Sequence, residues 1–589
     1  MNDLIVSGGE DCLYKVWDSF GRQLYGSNPF MHVITAVSWQ PKGECFAVGS
    51  FDMIRLCDKT GWSYCRERTS AGSLLQIAWT SDGTQLVGAG GNGTVLYAQL
   101  VQRHLEWNSF EVTLTSPKEI HVQDVSEGVY ETLEFPRDRV VEMALAYGHF
   151  VVATATQCFI YAVTNWNTPH IFDINAAVSL IVMCDRHFLM VDTGGVSLYS
   201  YEGRPISTPR FQGLRPETLN AHTIALAADA VAILDPLDRK KVRCFDTAAG
   251  KPLPDQPPAK LDIVQLALSQ CAKGVAERRL AYVDRNRDLY LCAVMPQPGM
   301  ARRQFKLATQ VDTIAWNETA DMLCAIADGR FICWYYPNVV SIDRDLLPAT
   351  TVTQDASEFG KVPHIVAFRG PRATIRRADG ALLFASVSPY PIMLHAFVAA
   401  SPPRWDEAQK LCRHAKDDGL WAVLAACAVQ ANMLEAAEAA FAAINEVDKL
   451  QFMLHIKSVR SEVRQQAELM LYRRCPDEAE SILLQATPPL VFHAIKLNIR
   501  LFRWDRALEL ALARRTHVDT VLAYRQRYLE EFGKRETDKR FIDAASSLGE
   551  IDWEAINAKQ KSEGDDSDDD DARVGFGPIG GGGGGGAHK

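Results

Sequence analysis

No two cysteines in this 589-residue chain are spaced C-x-x-C, although fourteen are scattered from Cys12 to Cys475. A zinc ribbon or a secreted disulfide scaffold would cluster them, so the reading is reduced, mostly buried thiols in a cytosolic-type compartment. Long apolar runs are also missing. The best membrane candidate, "LWAVLAACAV" from Leu420 to Val429, is about half of a ~20-residue span, and no membrane insertion is expected. The opening "MNDLIVSGGED" has no basic region ahead of an apolar one, which argues against a signal peptide. Positive charge is in deficit: 62 Lys and Arg against 72 Asp and Glu leave a net −10. That balance argues against nucleic acid or an anionic membrane as the main partner.

Catalytic motifs are equally scarce. H-E-x-x-H, G-x-S-x-G and G-x-x-x-x-G-K-[ST] do not occur, and the fourteen histidines are dispersed. Nothing marks a nucleophile, a metal site or a cofactor loop, so no enzyme and no cofactor are expected. Two partial matches fail on their context. "GAGGNG" places Gly88, Gly90 and Gly93 in a G-x-G-x-x-G pattern, but the alternating "TVLYAQLV" follows where a dinucleotide site needs a helix. "DRNRD" (Asp284 to Asp288) opens like a calcium loop, yet Leu289 and Met295 stand where Gly and Glu are required. Both read as hairpin turns.

What is present is a repeat. Trp39 in "ITAVSWQPKGECFAVGS" and Trp79 in "LLQIAWTSDGTQLVGAG" each close a short apolar strand before a polar turn with Gly43 or Gly83. Later strands keep step, with Trp17, Cys57 and Tyr97 in equivalent places. A period near 40 residues with four strands per unit is the propeller signature. A further copy, "VDTIAWNETADMLCAIADGRFICWYYP", carries Trp316 and Trp334. In WD-repeat blades a His, a Ser or Thr, an Asp and a Trp tie turns to strands. The first unit offers Ser7, Asp11, Trp17 and Asp18, and the second His32, Ser50, Asp52 and Asp58, with Cys57 in the Trp place. In the third, Ala89, Asn92 and Tyr97 replace the set. All these residues are expected to be structural.

Paired short strands continue to about residue 390, as in "FVVATATQCFIYAV" and "ATIRRADGALLFASV". The expected architecture is a β-propeller plus α-solenoid. Residues 1–104 would hold C-terminal blades of a first WD-repeat propeller and 105–390 a second, complete one of about six or seven blades. Residues 391–560 would form tetratricopeptide-like helical repeats and 561–589 a disordered acidic and Gly-rich tail. The helical reading rests on i, i+3, i+4 periodicity and on the paired segments "RWDEAQKLC" and "RWDRALELA". Ala408, Ala437, Ala479 and Ala507 provide small residues for close helix contact. Ser567, inside "DDSDDDD", is a candidate site for an acidophilic kinase, with a solvating tail as the default.

The runs "FAVGSFDMIRLCDKTGWSY", "HFLMVDTGGVSLYSYEGRPIS", "FICWYYPNVVSIDRDLLP" and "THVDTVLAYRQRYLEEFGKRETDKRF" are more specific than a WD pattern. From Val6 to Trp553 the chain resembles the family of eighty-kilodalton WD-repeat subunits of intraflagellar transport complex B (IFT-B). The resemblance implies a non-catalytic scaffold of the peripheral subcomplex, needed for assembly of the cilium or flagellum. Implied partners are other IFT-B subunits, including a calponin-homology-domain subunit at the first propeller, and indirectly a kinesin motor and ciliary cargo. Self-association stays open. The implied location is the cilium, the basal body at its base, and the cytoplasm. A vesicle-coat or membrane-tethering subunit is the rival reading of the same architecture. The family pattern begins upstream of Met1, so the first ring is expected to be incomplete, as from a truncated gene model. An open arc would expose strand edges and apolar blade faces and lower solubility.

Overall fold

The computed structural model describes residues 4–562 except 42, 44, 62, 81–84, 100–103, 117, 177, 255, 273, 296–302, 361–362, 377–381 and 549–551. The tail expectation and Ser567 therefore lie outside the described residues. Two compact units are present: Met1–Gln430 with Glu435–Asn445, and Ala431–Leu434 with Glu446–Lys589.

In the first unit the period-2 pattern becomes stacked sheets. Strands β1 (Leu4–Gly8), β2 (Tyr14–Asp18) and β3 (Gln23–Gly26) form one antiparallel sheet. Strands β4 (Ala36–Trp39), β5 (Cys45–Asp58), β6 (Ser63–Trp79), β7 (Gln85–Gly90) and β8 (Val95–Gln99) form a second, paired in chain order. The long strands β5 and β6 change partner along their length. Phe46–Gly49 pair with β4 and Met53–Cys57 with β6, while Leu74–Trp79 of β6 pair with β7. The corners are Asp52 (φ 48°) and Gly72 (φ 68°), both left-handed, and the Gly72 N–H donates to Asp52 Oδ1 at 2.8 Å. Alternation then separates two cores. Phe46 and Val48 pack with Tyr14, Val16, Ile34 and Cys57, while Ala47 turns to Ile54, Leu74, Ile77 and Leu86.

Seven further sheets follow in order, spanning residues 104–134, 140–173, 178–207, 224–246, 263–308, 311–355 and 364–386. The fourth and seventh have three described strands and the others four. The first strand of each sheet contacts the first strand of the next, so these strands line the centre of a ring. The seventh blade returns to the first, where the Arg369 guanidinium donates to the Glu106 carbonyl at 2.6 Å and pairs with Glu318 at 2.7 Å. The second strands of the fourth and sixth blades, Ala230–Leu234 and Leu323–Ala327, are five-residue apolar stretches buried throughout. The glycines of "GAGGNG" lie before strand β8, and Asp284 Oδ1 accepts from the N–H groups of Asn286 and Asp288 in a hairpin turn.

Helix α1 (Val339–Ile342) is a single turn in the sixth blade. Then come α2 (Tyr390–Ala399), α3 (Trp405–Ala415), α4 (Asp418–Gln430) and α5 (Leu434–Ala443). Leu420 to Val429 of α4 are all buried, so the most apolar stretch of the chain is a core helix, and no described helix is long and apolar enough to cross a membrane. The second unit contains α6 (Val447–Ser458), α7 (Glu462–Tyr472), α8 (Pro476–Gln485), α9 (Val491–Arg500), α10 (Trp504–Arg514), α11 (Val518–Glu531), α12 (Lys539–Leu548) and α13 (Trp553–Ser562). The sequence pair that opens α3 and α10 produces the same local structure twice. Both helices carry acidic residues in the first turn, Asp406 and Glu407 or Asp505, and a basic residue in the last, which suits the helix dipole. Both end on a left-handed residue, Lys416 or Arg515. Ala408, Ala437, Ala479 and Ala507 are fully buried, so each occupies a contact too close for a larger side chain.

Candidate functional site

The residues singled out in the WD-like units do not all perform one task. In the first unit the Trp17 indole N–H donates to Ser7 Oγ at 2.8 Å across the β1–β2 pair, and Asp11 closes the turn by accepting from the Leu13 N–H and Lys15 Nζ. In the second, Ser50 Oγ donates to the Val33 carbonyl at 2.8 Å, the His32 ring lies tilted against Phe51 at 5.0 Å, and Asp52 caps Gly72. Ser50 Oγ also reaches the His32 carbonyl at 3.3 Å, so Ser50 meets the backbone of His32 and not its ring. Cys57, in the Trp place, instead donates to the Tyr14 hydroxyl at 3.3 Å, and that hydroxyl donates to the Gly61 carbonyl at 2.8 Å.

Asp18 and Asp58, the acids that follow those positions, reach out of their own blades. Asp18 is buried and accepts from the Phe20 and Arg22 N–H groups and the Arg22 guanidinium. It also meets Arg215 Nη1 at 3.2 Å, in the segment ahead of the fourth blade of the ring. Burial alone would raise its pKa, but these hydrogen bonds outweigh it and hold the carboxyl down at about 2. Asp58 accepts from the Thr60 N–H and hydroxyl, and Thr60 Oγ1 accepts from Asn220 Nδ2 at 2.9 Å. Arg239 adds a bond to the Leu24 carbonyl. The WD-like blades are thus braced on one side of the seven-bladed ring through Arg215, Asn220 and Arg239, a function that local pattern matching does not reveal.

Within the ring, polar side chains are spent between blades. Trp316 Nε1 donates to the Ala267 carbonyl of the preceding inner strand at 3.2 Å, and Trp79 does the same to Ser38 in the first blades at 3.1 Å. Gln265 both donates to and accepts from Ile314. Arg278, 1% exposed, pairs with Asp229 at 2.7 Å. His222 and His364, from the fourth and seventh blades, meet edge to face at 4.9 Å. Burial drives His222 down to about 4 and His364 well below the ordinary imidazole value. His104, Glu106 and Glu111 come together on adjacent strands because Glu111 lies opposite Glu106. The His104 nitrogens are already engaged by Thr113 and Glu106. Only strand register, invisible in the sequence, brings that set together.

The helical unit carries the described cavity, about 370 Å³, lined by Phe502, Trp504, Asp505, Arg506, Arg525 and Phe541 among others. Arg525 sits among the rings of Trp504, Phe541 and Tyr528 at 5.5, 5.3 and 6.0 Å and pairs with Glu536 at 2.9 Å. Burial works to raise the Glu536 pKa, but Arg525 and two backbone N–H groups hold it below the usual value. Phe502, left-handed at φ 55° and about half exposed, stacks toward Tyr528 at 5.4 Å. Mixed charge and partly open rings suit a peptide segment better than a small polar metabolite.

These features define a class: a propeller protein continuing into tetratricopeptide-like helices, its polar side chains committed largely to bracing blades and helices. Residues 102–390 match the family model described as IFT80 second beta-propeller, and 420–569 match IFT80/172/WDR35/WDR19 TPR domain. The chain is 50% identical over 567 residues to intraflagellar transport protein 80 homologs of Mus musculus and Rattus norvegicus, covering 96% of this chain and 72% of each relative. Intraflagellar transport protein 172 homolog of Drosophila melanogaster is 22% identical over 92% of this chain and 32% of its own length. The chain belongs to the IFT80 family of intraflagellar transport proteins.

Proposed function

We propose that this protein is a non-catalytic scaffold subunit of intraflagellar transport complex B, in its peripheral subcomplex, and serves assembly of the cilium or flagellum through protein–protein contacts. The observation that carries this reading is half identity to IFT80 homologs sustained over nearly the whole chain. The geometry agrees with it. The most buried charged and titratable side chains hold blades and helices together, while blade rims and the helical cavity stay open to partners. Proposed partners are other IFT-B subunits, among them a calponin-homology-domain subunit at the first blades, with kinesin and cargo reached indirectly. Proposed locations are the cilium, the basal body and the cytoplasm.

The test is affinity capture of the tagged chain from ciliated-cell extract, with partners identified by mass spectrometry. Recovery of IFT-B subunits is expected. Recovery of vesicle-coat proteins in their place would overturn the reading in favour of a coat subunit.

A further inference from the structure

Three guanidinium groups crowd one face of the β5–β6 pair. Arg55 lies directly opposite Arg66, and Arg68, opposite Met53, is the next residue on that face. Opposed like charges destabilise a sheet, so the arrangement calls for compensation. Among the described residues none of the three pairs with a carboxylate. Arg55 stacks on the Phe30 ring at 4.3 Å, and its buried Nε has no hydrogen-bond partner. Arg66 Nε spends its hydrogen on the Met53 sulfur at 3.0 Å, a weak acceptor. The nearest acid in sequence, Glu67, pairs opposite Ile54 and so belongs to the other face. Burial first, then the charges of Arg55 and Arg68, lowers the Arg66 pKa. Other arginines of this unit do meet carboxylates, among them Arg215 with Asp18, Arg278 with Asp229 and Arg369 with Glu318.

We infer that Arg55, Arg66 and Arg68 form an anion-recognition site that docks an acidic, Asp- and Glu-rich segment of a partner protein along the outer part of the first blades. Guanidinium forks match carboxylates in two-point geometry. Phe30 and Met53 supply an apolar floor for the stems of a peptide. The net charge of −10 opposes broad approach to a bilayer or nucleic acid, whereas a short acidic segment needs only this local positive field. The inference does not depend on the transport role.

The test uses the full chain, a short fluorescein-labelled poly-Glu peptide at low salt, and fluorescence anisotropy, with a poly-Gln peptide and phosphatidylserine vesicles as parallel probes. Wild type is expected to bind poly-Glu and not poly-Gln. The double variant R66Q/R68Q is expected to bind at least about tenfold more weakly, R66K/R68K to recover part of the loss, and both to melt at or above the wild-type temperature. A lower melting temperature for R66Q/R68Q would mean that the arginines serve the fold, and would overturn the site. So would absent or equal poly-Glu binding. Arginine-dependent binding to vesicles without peptide binding would replace the partner with a lipid headgroup.

Discussion

Asp18 and Arg215, separated by 197 positions in the chain, meet at 3.2 Å and join the WD-like blades to the seven-bladed ring. Asp18 also closes its own strand turn through the Phe20 and Arg22 N–H groups. One carboxylate therefore terminates a blade and holds it to its neighbour, and its ionisation state couples the two.

The Asp18 carboxyl is held at about 2 in the folded chain against an ordinary 3.8. A depressed acid stabilises fully above its unfolded value, and that stability is lost as pH falls from about 4 toward 2. Asp18→Asn should melt lower than wild type at neutral pH by a constant margin. Thermal melts across pH should show the margin shrinking through the acid range; a margin independent of pH would contradict the assignment.

His222 behaves with the opposite charge. Its folded value of about 4 lies below the ordinary 6.5 because burial disfavours the imidazolium. The unfolded chain then binds more protons below pH 6.5, so stability present above that pH is lost as pH falls toward 4, by about 2 kcal/mol at pH 5. His222→Asn should flatten the decline between pH 7 and 5 in denaturant titrations. Parallel wild-type and variant curves would refute it.

Glu480 is buried in the helical unit and accepts from Asn498 Nδ2 at 2.9 Å and from Arg506 Nη2 at 2.7 Å. Removing Arg506 leaves a buried carboxylate with one neutral donor, whereas removing Glu480 leaves a half-exposed guanidinium that water can solvate. Arg506→Ala should therefore cost about 3 kcal/mol, more than the about 1–2 kcal/mol expected for Glu480→Ala. Urea unfolding of the two variants checks the order, and the reverse order would count against it.

Ala479 of α8 is fully buried against Ala467, Leu483, Ala494 and Leu497. Ala479→Leu should overpack this contact and cost about 1–3 kcal/mol. An exposed control, Ala513→Leu on α10, should stay within about 0.5 kcal/mol of wild type. Equal effects in melts of both variants would remove the close-contact argument.

The fold was largely legible because its signals are local. Alternating apolar residues with Gly or Asp turns announce hairpins, and the paired "RWDEAQKLC" and "RWDRALELA" segments announce two helices that start and stop alike. The Ser7–Trp17 bond joins residues ten apart on paired strands, so a repeat pattern can suggest it. The second unit resisted the same reading. His32, Ser50 and Asp52 suit a shared side-chain network by type, yet Ser50 meets the backbone carbonyls of His32 and Val33, the His32 ring lies against Phe51, and Asp52 takes the Gly72 N–H.

By itself the sequence determined the period of the blades, the switch to helices near Tyr390 and the small residues of the helix contacts, because each depends on side chains a few positions apart. Only the tertiary structure decided that Asp18 answers Arg215, that Arg55 opposes Arg66, and that His222 faces His364 from another blade. Those pairings depend on strand register and on closure of the ring. A chain of local preferences does not encode either until apolar faces pack and bring distant charges within reach.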